Sequence, residues 1–123
     1  MDFLTDRKRA MGLGASKTGT AHFWHMHVTS VALAVLIPVF VVTFGRILGA
    51  PHDQVVAYFA HPFPAIVTAL TLVVGMVHFK NGARVMIEDY TGGATRTALI
   101  LGTTYLAWLV IAVGLFALIK LAL

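Results

Sequence analysis

The chain is organised around one stretch of sequence, His78-Phe79-Lys80-Asn81-Gly82-Ala83-Arg84-Val85-Met86-Ile87-Glu88-Asp89-Tyr90. It begins with a histidine inside an apolar run and ends with an Asp-Tyr pair where that run ends. On a helix, His78 and Asp89 lie on one face about 16 Å apart, because eleven positions advance the helix by about three turns. The same face also carries Thr71, Gly75, Gly82 and Val85.

Two glycines flank His78 on this face, Gly75 one turn before it and Gly82 one turn after it. Backbone without side chains lets a flat ligand lie close to the helix, and an imidazole beside that ligand can bind a metal held in it. Alternatively, the glycines allow close contact with a neighbouring helix, and the histidine is a polar residue of that contact. An ionisable residue inside a membrane span is a functional candidate, but the pattern alone leaves both interpretations open.

Composition predicts an all-α membrane protein with three transmembrane helices. Of 123 residues, 59% are hydrophobic and only 11% are charged, whereas about a quarter of a soluble domain is charged. Three apolar runs approach the roughly 20 residues that cross a bilayer, and they predict spans over residues 21–49, 64–89 and 97–121. Residues 1–20 form a polar, basic tail that is either solvated or in contact with a soluble partner. Three short spans bury little surface against one another, so we expect partner subunits.

The distribution of charge predicts the orientation of the chain. Four of the nine Lys and Arg residues precede the first span, and three more flank the turn between the second and third spans. Basic residues collect in cytoplasmic segments, so the N-terminus and the Asp89-Tyr90 pair are predicted on the cytoplasmic side. Membrane topology explains the net charge of +4 better than binding to nucleic acid does. The absence of cysteine excludes disulfides, cysteine-ligated clusters and thiol nucleophiles from this chain.

The start of the first span is rich in histidine. His22 and His25 are three positions apart and share a face, whereas His27 points elsewhere. No Asp, Glu or Cys stands nearby to complete a metal site, so we expect histidines of the membrane interface. In the second span, Arg84 and Glu88 have the four-residue spacing that permits an ion pair.

The spacing of His78, ten intervening residues and Asp89-Tyr90 on the second of three spans resembles the small cytochrome b membrane anchor of succinate dehydrogenase (complex II). The start of the first span is similar too, with an aromatic residue after His22. The segment Val28-Thr29-Ser30-Val31 resembles the stretch that opens the first helix of that family. The resemblance covers nearly the whole chain.

The resemblance implies a role for each of five residues. His78 would be one axial ligand of a b-type haem. Tyr90 would donate a hydrogen bond to a ubiquinone carbonyl, with Asp89 beside it. His22 and His27 would lie near the haem propionates. His27 stands where the family usually carries an arginine, and a neutral histidine holds a propionate less strongly than a guanidinium does.

The implied function is that of a hydrophobic anchor in succinate:ubiquinone oxidoreductase of a bacterial inner membrane. The anchor carries no catalytic group for succinate. Its partners would be a second membrane anchor, an iron–sulfur subunit and a flavoprotein subunit, with the soluble subunits on the cytoplasmic side. A six-coordinate haem needs two axial ligands and this chain has one histidine deep in an apolar span, so we expect the haem to be shared with the second anchor.

Other functions are compatible with parts of the pattern. A quinol:fumarate reductase anchor is the nearest alternative, and quinone type and haem content would separate the two. A small non-haem transporter or an assembly protein is a more distant alternative. A transporter is expected to show internal repeats or charges paired across spans, and the sequence shows neither.

Overall fold

The computed structural model describes residues 5–12 and 19–123. Five helices occupy this part of the chain, and their bounds are α1 Asp6–Met11, α2 Gly19–Gly45, α3 His52–Phe59, α4 Pro62–Tyr90 and α5 Gly93–Ala122. No strand occurs among the described residues. Three of the helices, α2, α4 and α5, are long and apolar enough to cross a membrane. The predicted all-α fold with three transmembrane helices is confirmed.

The helix bounds differ from the predicted spans mainly at their ends. Helix α2 ends at Gly45, four residues before the predicted end. Residues 46–49 form turns, and Gly49 adopts a φ of 79°, which a right-handed helix cannot continue. Helix α4 begins at Pro62 because proline suits the first turn of a helix. Helix α5 begins four residues earlier than predicted, at Gly93.

The predicted tail of residues 1–20 falls partly on residues 1–4 and 13–18, which lie outside the described residues. Between these segments, Asp6–Met11 forms the short helix α1. The Thr5 hydroxyl accepts a hydrogen bond from the Lys8 amide at 3.3 Å and caps the N-terminus of this helix.

Helix α4 is the centre of the structure. It packs against α2 on one side and α5 on the other, and the backbones of α2 and α5 do not approach each other closely. A Cβ atom added at Gly75 would lie 4.0 Å from Leu33 of α2, and one added at Gly82 would lie 3.8 Å from Met26 of α2. On the opposite side, Gly114 of α5 makes room for the Leu72 side chain. Gly114 therefore lets α5 approach α4 closely, whereas a methyl group at Gly75 or Gly82 would fit against α2 at ordinary van der Waals distance.

Few side chains of the described residues are fully buried. The buried apolar side chains are Phe59, Val67, Ile87, Ala107 and Ile111. Most of the apolar surface of α2 and α5 faces outward, as in Val31, which is 67% exposed, and Phe116, which is 69% exposed. In a membrane protein such surface meets lipid or the helices of partner subunits. The small number of buried side chains is therefore expected for a membrane-spanning chain.

Candidate cofactor site on the central helix

The imidazole of His78 lies at the contact between α4 and α2. The ring is half-buried, and its Nδ1 atom lies 2.9 Å from the Thr29 hydroxyl of α2. The same hydroxyl lies 2.9 Å from the His25 carbonyl and 3.1 Å from the Met26 carbonyl. Among residues 5–12 and 19–123, no hydrogen bond to the Nε2 atom of His78 is present. Nδ1 of His78 is thus hydrogen-bonded to Thr29, and Nε2 is available to another partner.

The two glycines beside His78 lie at the contact between α4 and α2. A Cβ atom added at Gly75 would lie 4.0 Å from Leu33 and one added at Gly82 would lie 3.8 Å from Met26, and both are ordinary van der Waals distances. The helix contact therefore does not require glycine at either position, and Gly75 also lines an apolar cavity. The ligand interpretation rests on the Nε2 atom of His78, which has no hydrogen-bond partner among the described residues.

His22 has a polar atom that nothing in the described chain satisfies. Its Nε2 atom is buried and has no hydrogen-bond partner among the described residues. An unsatisfied buried polar atom costs on the order of 1–3 kcal/mol, so buried groups of this kind normally have a partner. The partner of the His22 Nε2 atom therefore lies outside the described residues.

His27 lies in a different environment from His22. It is exposed, and its ring packs on Phe23 of the preceding turn with ring centroids 4.2 Å apart. Five positions separate the two histidines, which places them about 140° apart around α2. The structure does not bring His22 and His27 together within this chain. No cluster of three or more potential metal-ligating side chains occurs in the described residues.

Asp89 and Tyr90 form the end of α4. Both side chains are exposed, and Tyr90 is 85% exposed. The helix stops at Thr91, whose amide donates to the Ile87 carbonyl at 3.0 Å and whose hydroxyl donates to the same carbonyl at 2.6 Å. The phenol of Tyr90 therefore projects from the end of α4 into space that the described residues leave open.

Sequence reasoning missed a residue that holds this helix end. The Arg96 guanidinium donates to the Glu88 carbonyl at 2.9 Å and to the Thr91 carbonyl at 2.7 Å. These carbonyls belong to the last turn of α4 and to the residue that follows it, where a helix leaves its acceptors without intrahelical donors. The available signal was a basic residue shortly after an Asp-Tyr helix end and a Gly-Gly turn.

Lys80, Arg84 and Glu88 of α4 lie on faces other than that of His78. Arg84 and Glu88 form the predicted ion pair, with the Arg84 Nε atom 2.8 Å from the Glu88 carboxylate. The Lys80 ammonium lies 5.8 Å from the ring centroid of Trp108 of α5, within reach of a cation–π contact. Neither the ion pair nor the cation–π contact involves His78.

An apolar cavity of about 380 Å³, open to the surface, lies on the side of His78 away from Asp89. Its walls include Thr68, Gly75 and Gly114, and the Thr68 hydroxyl is buried without a partner among the described residues. Asp89 and Tyr90 are not part of its lining. The cavity and the Asp-Tyr helix end are therefore separate features.

The geometry defines the class of protein as a three-helix membrane protein in which a half-buried histidine is held between two spans. A family described as succinate dehydrogenase/fumarate reductase transmembrane subunit matches residues 1–119. The chain therefore belongs to this family, as a hydrophobic membrane anchor. The resemblance found in the sequence is confirmed.

Two relatives support this assignment. The succinate dehydrogenase hydrophobic membrane anchor subunit of Paracoccus denitrificans is 47% identical over 123 residues, which cover 100% of this chain and 95% of that protein. The protein of the same name from Rickettsia conorii (strain ATCC VR-613 / Malish 7) is 29% identical over 91 residues, which cover 72% of this chain and 71% of that protein. No solved structure gives a significant match.

Proposed function

We propose that this chain anchors a succinate:ubiquinone oxidoreductase in a bacterial inner membrane, supplies one axial ligand of a b-type haem and forms part of the ubiquinone site. The main support for this proposal is the hydrogen bonding of the His78 ring. Its ring is held between two membrane helices by Nδ1, while Nε2 has no partner among the described residues. The two relatives are named as succinate dehydrogenase anchors, which favours succinate oxidation over fumarate reduction.

The residues present fit a haem shared between two anchor chains. His78 offers one imidazole nitrogen at membrane depth, which is the group that ligates iron in b-type sites. The buried and unpartnered Nε2 atom of His22 offers a polar contact of the kind that a propionate needs. His78 is the one histidine deep in an apolar span, so we expect the second axial ligand to come from a second membrane anchor. The bound haem would supply a one-electron carrier.

The ubiquinone site is proposed at the end of α4. A quinone carbonyl needs a hydrogen-bond donor beside an apolar slot at the membrane surface. The Tyr90 phenol is such a donor, and the neighbouring Asp89 lies at the edge of the same region. Because Tyr90 is 85% exposed in this chain alone, the remaining walls of the slot have to come from the partner subunits.

The exposed surfaces of the chain offer contact sites for those partner subunits. The exposed apolar faces of α2 and α5 suit lipid and the helices of the second membrane anchor. The iron–sulfur and flavoprotein subunits would dock on the cytoplasmic side, where the basic residues and the Asp89-Tyr90 helix end are predicted. Electrons from succinate would then reach the quinone next to Tyr90.

The haem ligand is tested with a His78→Ala variant of the intact complex. Reduced-minus-oxidised optical spectra are expected to lose the low-spin haem signal, because one axial ligand is missing. His52→Ala is the matched control, since His52 lies in α3 and should leave the signal unchanged. An unaltered haem signal in the His78→Ala complex would show that this histidine is not a ligand.

A further inference from the structure

We infer that Thr29 is a positioning residue that fixes which nitrogen of His78 is available to bind iron. This inference rests on the proposed function, in which His78 is an axial ligand. It concerns a contact across two spans: Thr29 belongs to α2 and His78 to α4, and their side chains meet at 2.9 Å.

The two carbonyl contacts of the Thr29 hydroxyl favour one direction for its hydrogen bond to His78. A threonine hydroxyl has one proton and two lone pairs, and a carbonyl oxygen only accepts. Two carbonyls, those of His25 and Met26, lie 2.9 Å and 3.1 Å from the Thr29 hydroxyl. Donation to its own helix in this way is the usual state of threonine in a membrane helix. The hydroxyl then accepts a hydrogen bond from Nδ1–H of His78.

This direction selects one tautomer of the imidazole. A neutral imidazole carries one proton, so a protonated Nδ1 leaves Nε2 bare. A bare nitrogen is the one that can donate its lone pair to a metal. If the hydroxyl donated to Nδ1 instead, the proton would sit on Nε2 and that atom could not ligate. Thr29 therefore prepares His78 for ligation before any metal is bound.

The surrounding packing gives this contact its rigidity. Leu33 and Met26 of α2 lie beside Gly75 and Gly82, one turn on either side of His78, so the hydrogen bond lies inside the contact between α2 and α4. Threonine is stiff about its first side-chain torsion because it is branched at Cβ. The hydroxyl is also tethered to two carbonyls of its own helix. The ring is thereby oriented as well as placed in one tautomer.

The hydrogen bond has a predictable effect on the iron. An acceptor at Nδ1–H raises the basicity of the ligating nitrogen. A more basic ligand favours the ferric state, so the midpoint potential is lower than it would be without Thr29. Partners of this kind typically change metal affinity by about 10–100-fold when they are removed.

The test uses Thr29→Val, which keeps the shape of the side chain and removes the hydroxyl, in the intact solubilised complex. The midpoint potential of the haem is expected to rise and the electron paramagnetic resonance spectrum of the ferric haem to change. Retention of haem during extraction is expected to fall by about 10–100-fold. Thr29→Ala removes the same hydroxyl without adding a buried methyl contact, and it should shift the potential in the same direction if the valine variant assembles poorly.

Two variants separate the hydroxyl from packing. Thr29→Ser keeps the hydroxyl and should restore the wild-type potential. Ser30→Ala removes a neighbouring hydroxyl that bonds the Met26 carbonyl at 2.8 Å but does not reach His78, and it should leave the potential unchanged. A wild-type potential and spectrum in both Thr29→Val and Thr29→Ala would overturn the inference, as would a Thr29→Ser variant that behaves like Thr29→Val. Absence of haem from the wild-type complex would instead refute the proposed function, and this inference with it.

Discussion

Replacing Arg96 by alanine should loosen the end of α4 and weaken the binding of quinone. Arg96 donates two hydrogen bonds to carbonyls on either side of Tyr90, those of Glu88 and Thr91. A hydrogen bond contributes about 0.5–1.5 kcal/mol net, and exposed bonds fall in the lower half of that range because water replaces the donor. The two bonds together are therefore worth about 1–2 kcal/mol.

That free energy sets the size of the expected effect. A change of one to two kcal/mol shifts an equilibrium by roughly 5–30-fold, here between the ordered and the frayed end of α4. Only the ordered end presents Tyr90 to the quinone. The apparent affinity for quinone is therefore proportional to the fraction of molecules in which the end of α4 is ordered. We expect the KM for a short-chain ubiquinone to rise, with that roughly 5–30-fold factor as the upper bound, and the haem spectra to stay unchanged.

Two assays on the solubilised complex check this prediction. Amide hydrogen exchange in the peptide that contains the Thr91 amide should become faster, because this amide bonds the Ile87 carbonyl in the ordered end. Succinate oxidation with an artificial acceptor, which bypasses the quinone, should be unaffected. Arg84→Ala is the matched control, since it removes an exposed ion pair that contributes little to the helix end.

The reasoning about Arg96 fails under either of two results. An Arg96→Ala complex with the wild-type exchange rate and the wild-type quinone KM would show that the helix end does not need the guanidinium. A parallel fall in haem content and in artificial-acceptor activity would show a defect of assembly rather than a local one.

Tyr90→Phe should lower quinone reductase activity while succinate oxidation with an artificial acceptor persists, because the phenyl ring keeps the shape of the side chain and loses the hydrogen-bond donor. Tyr105→Phe, on the exposed side of α5, is the control. An equal loss of both activities in Tyr90→Phe would point to misfolding. His22→Leu should reduce haem retention by roughly tenfold or more, since a hydrogen bond to a charged group is worth about 1.5–3 kcal/mol. His27→Leu should have the smaller effect because His27 is exposed and packs on Phe23. Equal haem retention in the two leucine variants and the wild type would contradict a propionate contact at His22.

The sequence by itself determined the three helices and the order of groups along the central one. An apolar run that crosses a bilayer has to satisfy its backbone internally, so its length and composition imply a helix. The helical repeat then places His78 and Asp89 on one face and pairs Arg84 with Glu88, which lie 2.8 Å apart. The different environments of His22 and His27 follow from the same repeat.

Only the tertiary structure decided what those faces meet. The apolar residues of helix α2 are spread around its circumference, so no stripe in its sequence marks the side that turns toward α4. Packing selected that side, and it brought Thr29 to His78 across a separation of 49 residues. Packing also turned Gly75 and Gly82 toward α2, and the fold of the turn after α4 directed Arg96 back onto the end of that helix. Periodicity states which residues share a face, but the contacts between faces depend on shape complementarity between whole helices, which is a property of the folded chain.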